Sequence, residues 1–159
     1  MISDQEFLYG AAFLRLLNSG QPLTITHVYF IHPSIYLVEN QKSKSAILFK
    51  VSKKPKSAWS FTFSRQETSA LDKLQSQYPE LSVFIALICH KDGICCIAKE
   101  RLENLLNREA GTYSQYISVS RQPRSSYHVN GSGKQTIEQT VPQNDWPRVV
   151  LSQPSGDYE

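Results

Sequence analysis

The sequence predicts a mixed α/β (α+β) domain, with a mixed, mostly antiparallel sheet flanked by helices. Three observations carry this. Apolar residues recur at three- and four-residue spacing in some segments and cluster as short β-branched and aromatic runs in others. Most of the short runs are joined by turns that permit only antiparallel pairing, while one helical stretch separates two of them and allows a parallel crossover. The chain has 159 residues, 40% of them hydrophobic, which is the length of one domain with material for a core. Residues 1–151 are expected to form that domain and residues 152–159 a polar tail.

Ser3 and Glu6 make a capping box before Phe7, Leu8, Ala11, Ala12, Leu14 and Leu17, so 4–18 reads as a helix that Asn18-Ser19-Gly20 stops. Leu23–Phe30 reads as a strand broken by His32-Pro33, followed by strands at Ile35–Val38 and Ala46–Val51. After the lysine-rich loop Ser52–Ser57 comes a short strand, Trp59–Phe63. Ser64 and Glu67 repeat the capping box and open a helix that ends near Tyr78-Pro79. Val83–Cys89 is continuously apolar, as in a strand buried on both faces. His90-Lys91-Asp92-Gly93 turns it into Ile94–Ile97, with Asp-Gly supplying the positive φ of a hairpin. A helix is expected over Lys99–Arg108, short strands at Tyr116–Val119 and Tyr127–Val129, a turn at Asn130–Gly133, and an edge-covering segment at Val141–Leu151.

Several function classes lose support at once. No run of 18 apolar residues exists, the start Met1-Ile2-Ser3-Asp4-Gln5-Glu6 is acidic rather than signal-like, and three cysteines cannot complete a disulfide framework, so a cytoplasmic protein without a membrane role is expected. No phosphate-loop, dinucleotide, nucleophile-elbow or zinc-protease motif occurs. Cys89, Cys95 and Cys96 lack zinc-ligand spacing, and on a hairpin Cys95 and Cys96 face opposite sides and cannot easily share one ion, so the three are expected to be free, buried and to act as small hydrophobes. His27, His32 and His128 stand singly.

Charge is more informative. The net charge is only +3, but the 27 positions between Glu39 and Glu67 hold no acid and seven cations: Lys42, Lys44, Lys50, Lys53, Lys54, Lys56 and Arg65. A second acid-free stretch, between Glu109 and Glu138, carries Arg121, Arg124 and Lys134. Such segregation offers a positive face to a polyanion, DNA or RNA; the plain alternative is that loop lysines keep sheet edges soluble. Trp59 and Tyr127 lie beside these cations and are candidates to stack bases.

The order α-β-β-β-α-β over residues 3–89 resembles the core of the restriction-endonuclease-like superfamily, the PD-(D/E)XK phosphodiesterases. That resemblance covers somewhat more than half the chain. It implies that the second and third strands form a hairpin on which two acids and a lysine hold a divalent metal and a water. The Pro-Asp step falls on Pro33-Ser34 and the acid-x-Lys step on Leu48-Phe49-Lys50, so the proline and lysine match and both carboxylates are absent. The implied site is disabled, and no cofactor is expected. The first reading is therefore a non-catalytic nucleic-acid-binding or assembly module that uses Lys50, Lys53, Lys54, Lys56, Trp59 and Arg65, with Arg121 and Arg124 as second contacts. The alternatives are a divergent nuclease, in which Lys50 polarises the phosphate and Glu6 or Glu39 is recruited to hold Mg²⁺, and a protein-interaction subunit or homodimer. Pairing of residues 39 and 46 would leave Glu39 roughly 13 Å from Lys50.

Overall fold

A computed structural model describes residues 1–106, 115–132 and 139–152. Among them are four helices and nine strands: α1 (Asp4–Leu17), β1 (Thr24–His27), β2 (Ile35–Glu39), β3 (Lys44–Ser52), β4 (Trp59–Phe63), α2 (Arg65–Gln77), β5 (Ser82–Cys89), β6 (Gly93–Ala98), α3 (Lys99–Leu105), β7 (Gln115–Ser120), β8 (Tyr127–Gly131), β9 (Gln139–Val141) and α4 (Asp145–Leu151). The α+β class is as the sequence predicts. Both capping boxes are present: Glu6 N–H donates to Ser3 Oγ and Ser3 N–H to Glu6 Oε1, and Ser64 with Glu67 repeats the pair.

The strands divide into two sheets rather than one. Five make a mixed sheet in the order β1-β2-β3-β5-β6, antiparallel except for the parallel pair β3–β5 that α2 connects. The other four make an antiparallel sheet, β4-β7-β8-β9. The strand expected at Trp59–Phe63 therefore leaves the first sheet, and its inward residues Trp59, Phe61 and Phe63 join Ile35, Leu48, Ile85 and Ile97 in a core between the two sheets. A second core lies on the far face of the five-stranded sheet, where Leu8, Tyr9, Ala12 and Leu16 of α1 and Trp146 of α4 cover Val38, Ile47, Phe49, Phe84 and Cys96. The central strands β3 and β5 are thus covered on both faces, which is why β5 reads as an unbroken apolar run.

Boundaries differ in instructive ways. β1 stops at His27, because the chain turns back through a hydrogen bond from His32 N–H to Val28 O and leaves Tyr29 and Phe30 outside the sheet. Asn130 and Gly131 belong to β8 rather than to a turn, and the edge-covering segment is strand β9 followed by helix α4. The hairpin at 90–92 forms with the expected positive φ at Gly93 (154°), and His90 adds a left-handed residue (φ 51°). Gly93 is required for space: a Cβ there would lie 2.5 Å from Tyr127 Oη. The expected helix residues Asn107 and Arg108, the cation Lys134, the turn residue Gly133 and tail residues 153–159 fall outside the described residues.

Candidate nucleic-acid interface

The strand register decides where the cations go. β3 runs from Lys44 to Ser52, so Lys42 and Lys44 sit at one end of the sheet and the loop 53–58 at the other, about 26 Å away at about 3.3 Å per residue. Because β5 is parallel to β3 and pairs Ser52 with Cys89, the turn His90-Lys91-Asp92 leaves the sheet at the same end as that loop. In the second sheet Trp59 pairs with Val119, which brings the loop 121–126 there as well.

Side chains fasten these three loops together. The Arg121 guanidinium grips Asp92 in bidentate fashion, Nε to Oδ2 and Nη2 to Oδ1 each at 2.8 Å. Arg121 N–H donates to Ser57 Oγ at 3.1 Å, and Tyr127 Oη donates to Asp92 Oδ2 at 3.0 Å. The Arg121 hydrogen bonds are the largest influence on Asp92, and they hold its carboxyl below the usual carboxylate range against the opposing effect of burial. Burial, with the neighbouring Cys89 and Asp92, pushes the Tyr127 hydroxyl up and keeps it neutral and able to donate.

The segments 52–58, 90–92 and 121–126 contain six lysines and arginines against one acid, Asp92. Lys53, Lys54, Lys56, Lys91 and Arg124 are exposed. Lys54 Nζ reaches back to Ala58 O at 2.8 Å. Arg124 stands at the third position of a turn closed by Ser125 N–H to Gln122 O, with Pro123 before it and φ 66°. That is the pattern of a type II turn, whose third position favours glycine or asparagine. An arginine held in the left-handed region there projects its cation at a conformational cost.

Other expected contacts are withdrawn by their surroundings. Lys50 Nζ is bound by Glu67 at 2.7 Å and Thr62 O at 2.5 Å and lies over the Phe63 ring, so it ties β3 and β4 to α2 instead of facing solvent. Trp59 is buried with its indole N–H on Lys54 O, and Tyr127 is fully buried, so neither ring is available to a base. Arg121 is neutralised by Asp92 and acts as the fastener. Arg65 opens α2 and is exposed, and it has an interaction of its own.

The residues laid onto the nuclease pattern do not converge. Ser34 lies on the α1 side of the sheet, with Tyr9 Oη 3.4 Å from its hydroxyl, whereas Leu48 and Lys50 face the core between the sheets. Glu39 pairs with Lys44 rather than with residue 46, which places it six positions, about 20 Å, from Lys50. Glu6 is the capping partner of Ser3. No group of three or more His, Cys, Asp or Glu is arranged to hold a metal among the described residues. Cys95 and Cys96 face opposite cores as expected, and all three thiols are buried; burial pushes Cys95 up to about 12 and raises Cys89 and Cys96 as well. The histidines have structural roles where their contacts are seen: His27 stacks on Tyr36 at 4.5 Å, and His32 Nδ1 accepts from Ser34 N–H.

Three exposed residues at the basic end went unread in the sequence. Lys91 was hidden in a hairpin turn. Tyr29 and Phe30 are 69% and 67% exposed. They lie on the β1–β2 connection, at the Ser52 end of the five-stranded sheet, because Ser34 sits opposite Phe49. The signal available was the His-Pro break two residues later, which shortens the strand and puts both rings outside it.

No protein-family model, curated protein or solved structure matches the chain. No helix is long and apolar enough to cross a membrane among the described residues.

Proposed function

We propose that the protein is a non-catalytic module that binds the phosphate backbone of nucleic acid through its three fastened basic loops. The observation that carries this reading is the Arg121 bridge to Asp92 and Ser57. It gathers Lys53, Lys54, Lys56, Lys91 and Arg124, cations from three separate stretches of chain, at one end of the molecule. Cations on short anchored loops act as phosphate contacts, and with Trp59 and Tyr127 buried beside them these loops carry little that reads sequence. Tyr29 and Phe30 offer exposed rings at the same end, which favours single strands whose bases are free to stack. A reducing compartment such as the cytoplasm suits three free, buried thiols.

Fluorescence anisotropy with a labelled single-stranded oligonucleotide tests the reading. Five phosphate contacts give a slope of about −3.5 in log K against log salt, which is about a hundredfold loss of affinity between 50 and 200 mM. Replacing Tyr29 and Phe30 by alanine is expected to weaken binding by about 1–3 kcal/mol per stacked base and to leave that slope unchanged. Affinity that is indifferent to salt contradicts the proposal.

A further inference from the structure

The first helix is apolar on two sides, and the fold covers only one. Leu8, Tyr9, Ala12 and Leu16 are buried, while Phe7, Leu14 and Leu17 are 63%, 56% and 55% exposed. Gly10 and Ala11 are exposed between them, and a methyl built on Gly10 would meet nothing within 4 Å, so this fold does not itself require a glycine there. What the missing side chain provides is room for another backbone to approach. Phe7 and Ala11 also form one wall of a cleft of about 510 Å³, whose opposite wall is Ile88 and Ile94 of the β5–β6 hairpin.

Two charges frame this stripe. Asp4 and Arg15 both line the cleft and are exposed, as is Lys91 of the β5–β6 turn, and neither Asp4 nor Arg15 has an ion-pair partner among the described residues. Helical spacing sets Asp4 in line with Phe7, Ala11 and Leu14, and puts Arg15 one turn beyond Ala11. The first turn of α1 is acidic and its last turn basic. The pattern is close to self-complementary on reversal: Phe7 with Leu14 and Gly10 with Ala11 share one midpoint, and Asp4 with Arg15 centre within one residue of it.

We propose that this face binds a second copy of the chain, with α1 antiparallel to α1 about a two-fold axis at Gly10 and Ala11. Phe7 packs on the partner's Leu14, Leu14 on the partner's Phe7, and each Asp4 meets the partner's Arg15. An isologous contact makes every favourable pair twice, and opposed helices also oppose their dipoles. The proposal does not rest on nucleic-acid binding, although Lys91, one of the cations of that surface, lines the same cleft.

Sedimentation equilibrium of the full chain tests it, with far-UV circular dichroism and unfolding midpoints to confirm that each variant folds. The wild type is expected to be dimeric at about 50 μM, and Leu14→Glu monomeric. Asp4→Arg and Arg15→Glu are each expected to raise the dimer Kd about tenfold or more, while the combined variant returns to within about threefold of wild type. Recovery in the combined variant is specific to an antiparallel pair. A monomeric wild type overturns the proposal, as does a folded charge-swapped variant that fails to recover. A monomer that co-floats with anionic phosphatidylserine vesicles overturns it in favour of a lipid surface.

Discussion

Replacing Asp92 by asparagine probes the fastening of the three loops directly. The substitution keeps the shape of the side chain and removes the charge that faces Arg121 at two 2.8 Å contacts. Hydrogen bonds to charged groups contribute about 1.5–3 kcal/mol each when buried. Here the two side chains keep 16% and 21% of their exposure, and Arg121 retains bonds to Gln122 O and Ser125 O, so the expected loss for the pair is about 2 kcal/mol. For a domain of this length that corresponds to a fall of about 4–8 °C in Tm. The pH dependence follows from the direction of the Asp92 shift. A carboxyl held below its unfolded value of about 3.9 stabilises the fold fully above that value, and the contribution disappears as pH falls through the folded pKa. Urea unfolding of wild type and D92N, compared from pH 7 down to pH 2, is expected to show a gap near neutrality that closes in acid. A gap of the same size at both ends, or none at pH 7, refutes the claim that this ion pair holds the loops together.

Four further outcomes are expected. Arg124→Gly relieves a left-handed arginine, so stability rises by up to about 1 kcal/mol in chemical denaturation while affinity for single-stranded oligonucleotide falls. Gly131→Ala places a Cβ 2.0 Å from the Leu105 carbonyl oxygen, and because the obstacle is backbone the loss is about 1–3 kcal/mol or more, readable as a lower urea midpoint. Lys50→Ala leaves Glu67 without its strongest partner, so the unfolding midpoint drops while oligonucleotide affinity holds. The three cysteines, buried and with thiols raised by that burial, resist iodoacetamide at pH 8 in the native protein, and mass spectrometry shows all three alkylated in denaturant.

The sequence carried local instructions well. The two capping boxes, the apolar run at 83–89 and the opposite facing of Cys95 and Cys96 depend on neighbours within a few residues, and each is found as read. Long-range pairing was not legible. Nothing near Trp59 says that its strand joins Val119 in another sheet, and the partner of Arg121 lies 29 residues away. For the same reason a lysine-rich and aromatic stretch looks alike whether its tryptophan is a stacking platform or, as here, a buried plug between two sheets. Lys50 showed the same ambiguity, because its carboxylate partner sits 17 positions on, on another element. The first helix was more readable than it looked. Its apolar residues span both faces, more than one sheet can cover, and that excess is the uncovered stripe of Phe7, Leu14 and Leu17.

The most direct measurement compares charge reversal at the two ends of β3. Lys53, Lys54 and Lys56 converted together to glutamate should weaken oligonucleotide binding sharply at 50 mM salt and flatten the salt slope, whereas Lys42 and Lys44 converted likewise, at the far end, should leave both close to wild type. Losses that merely scale with the charge removed in each variant would show that net charge alone drives association, and the gathered loops would then not be the binding surface.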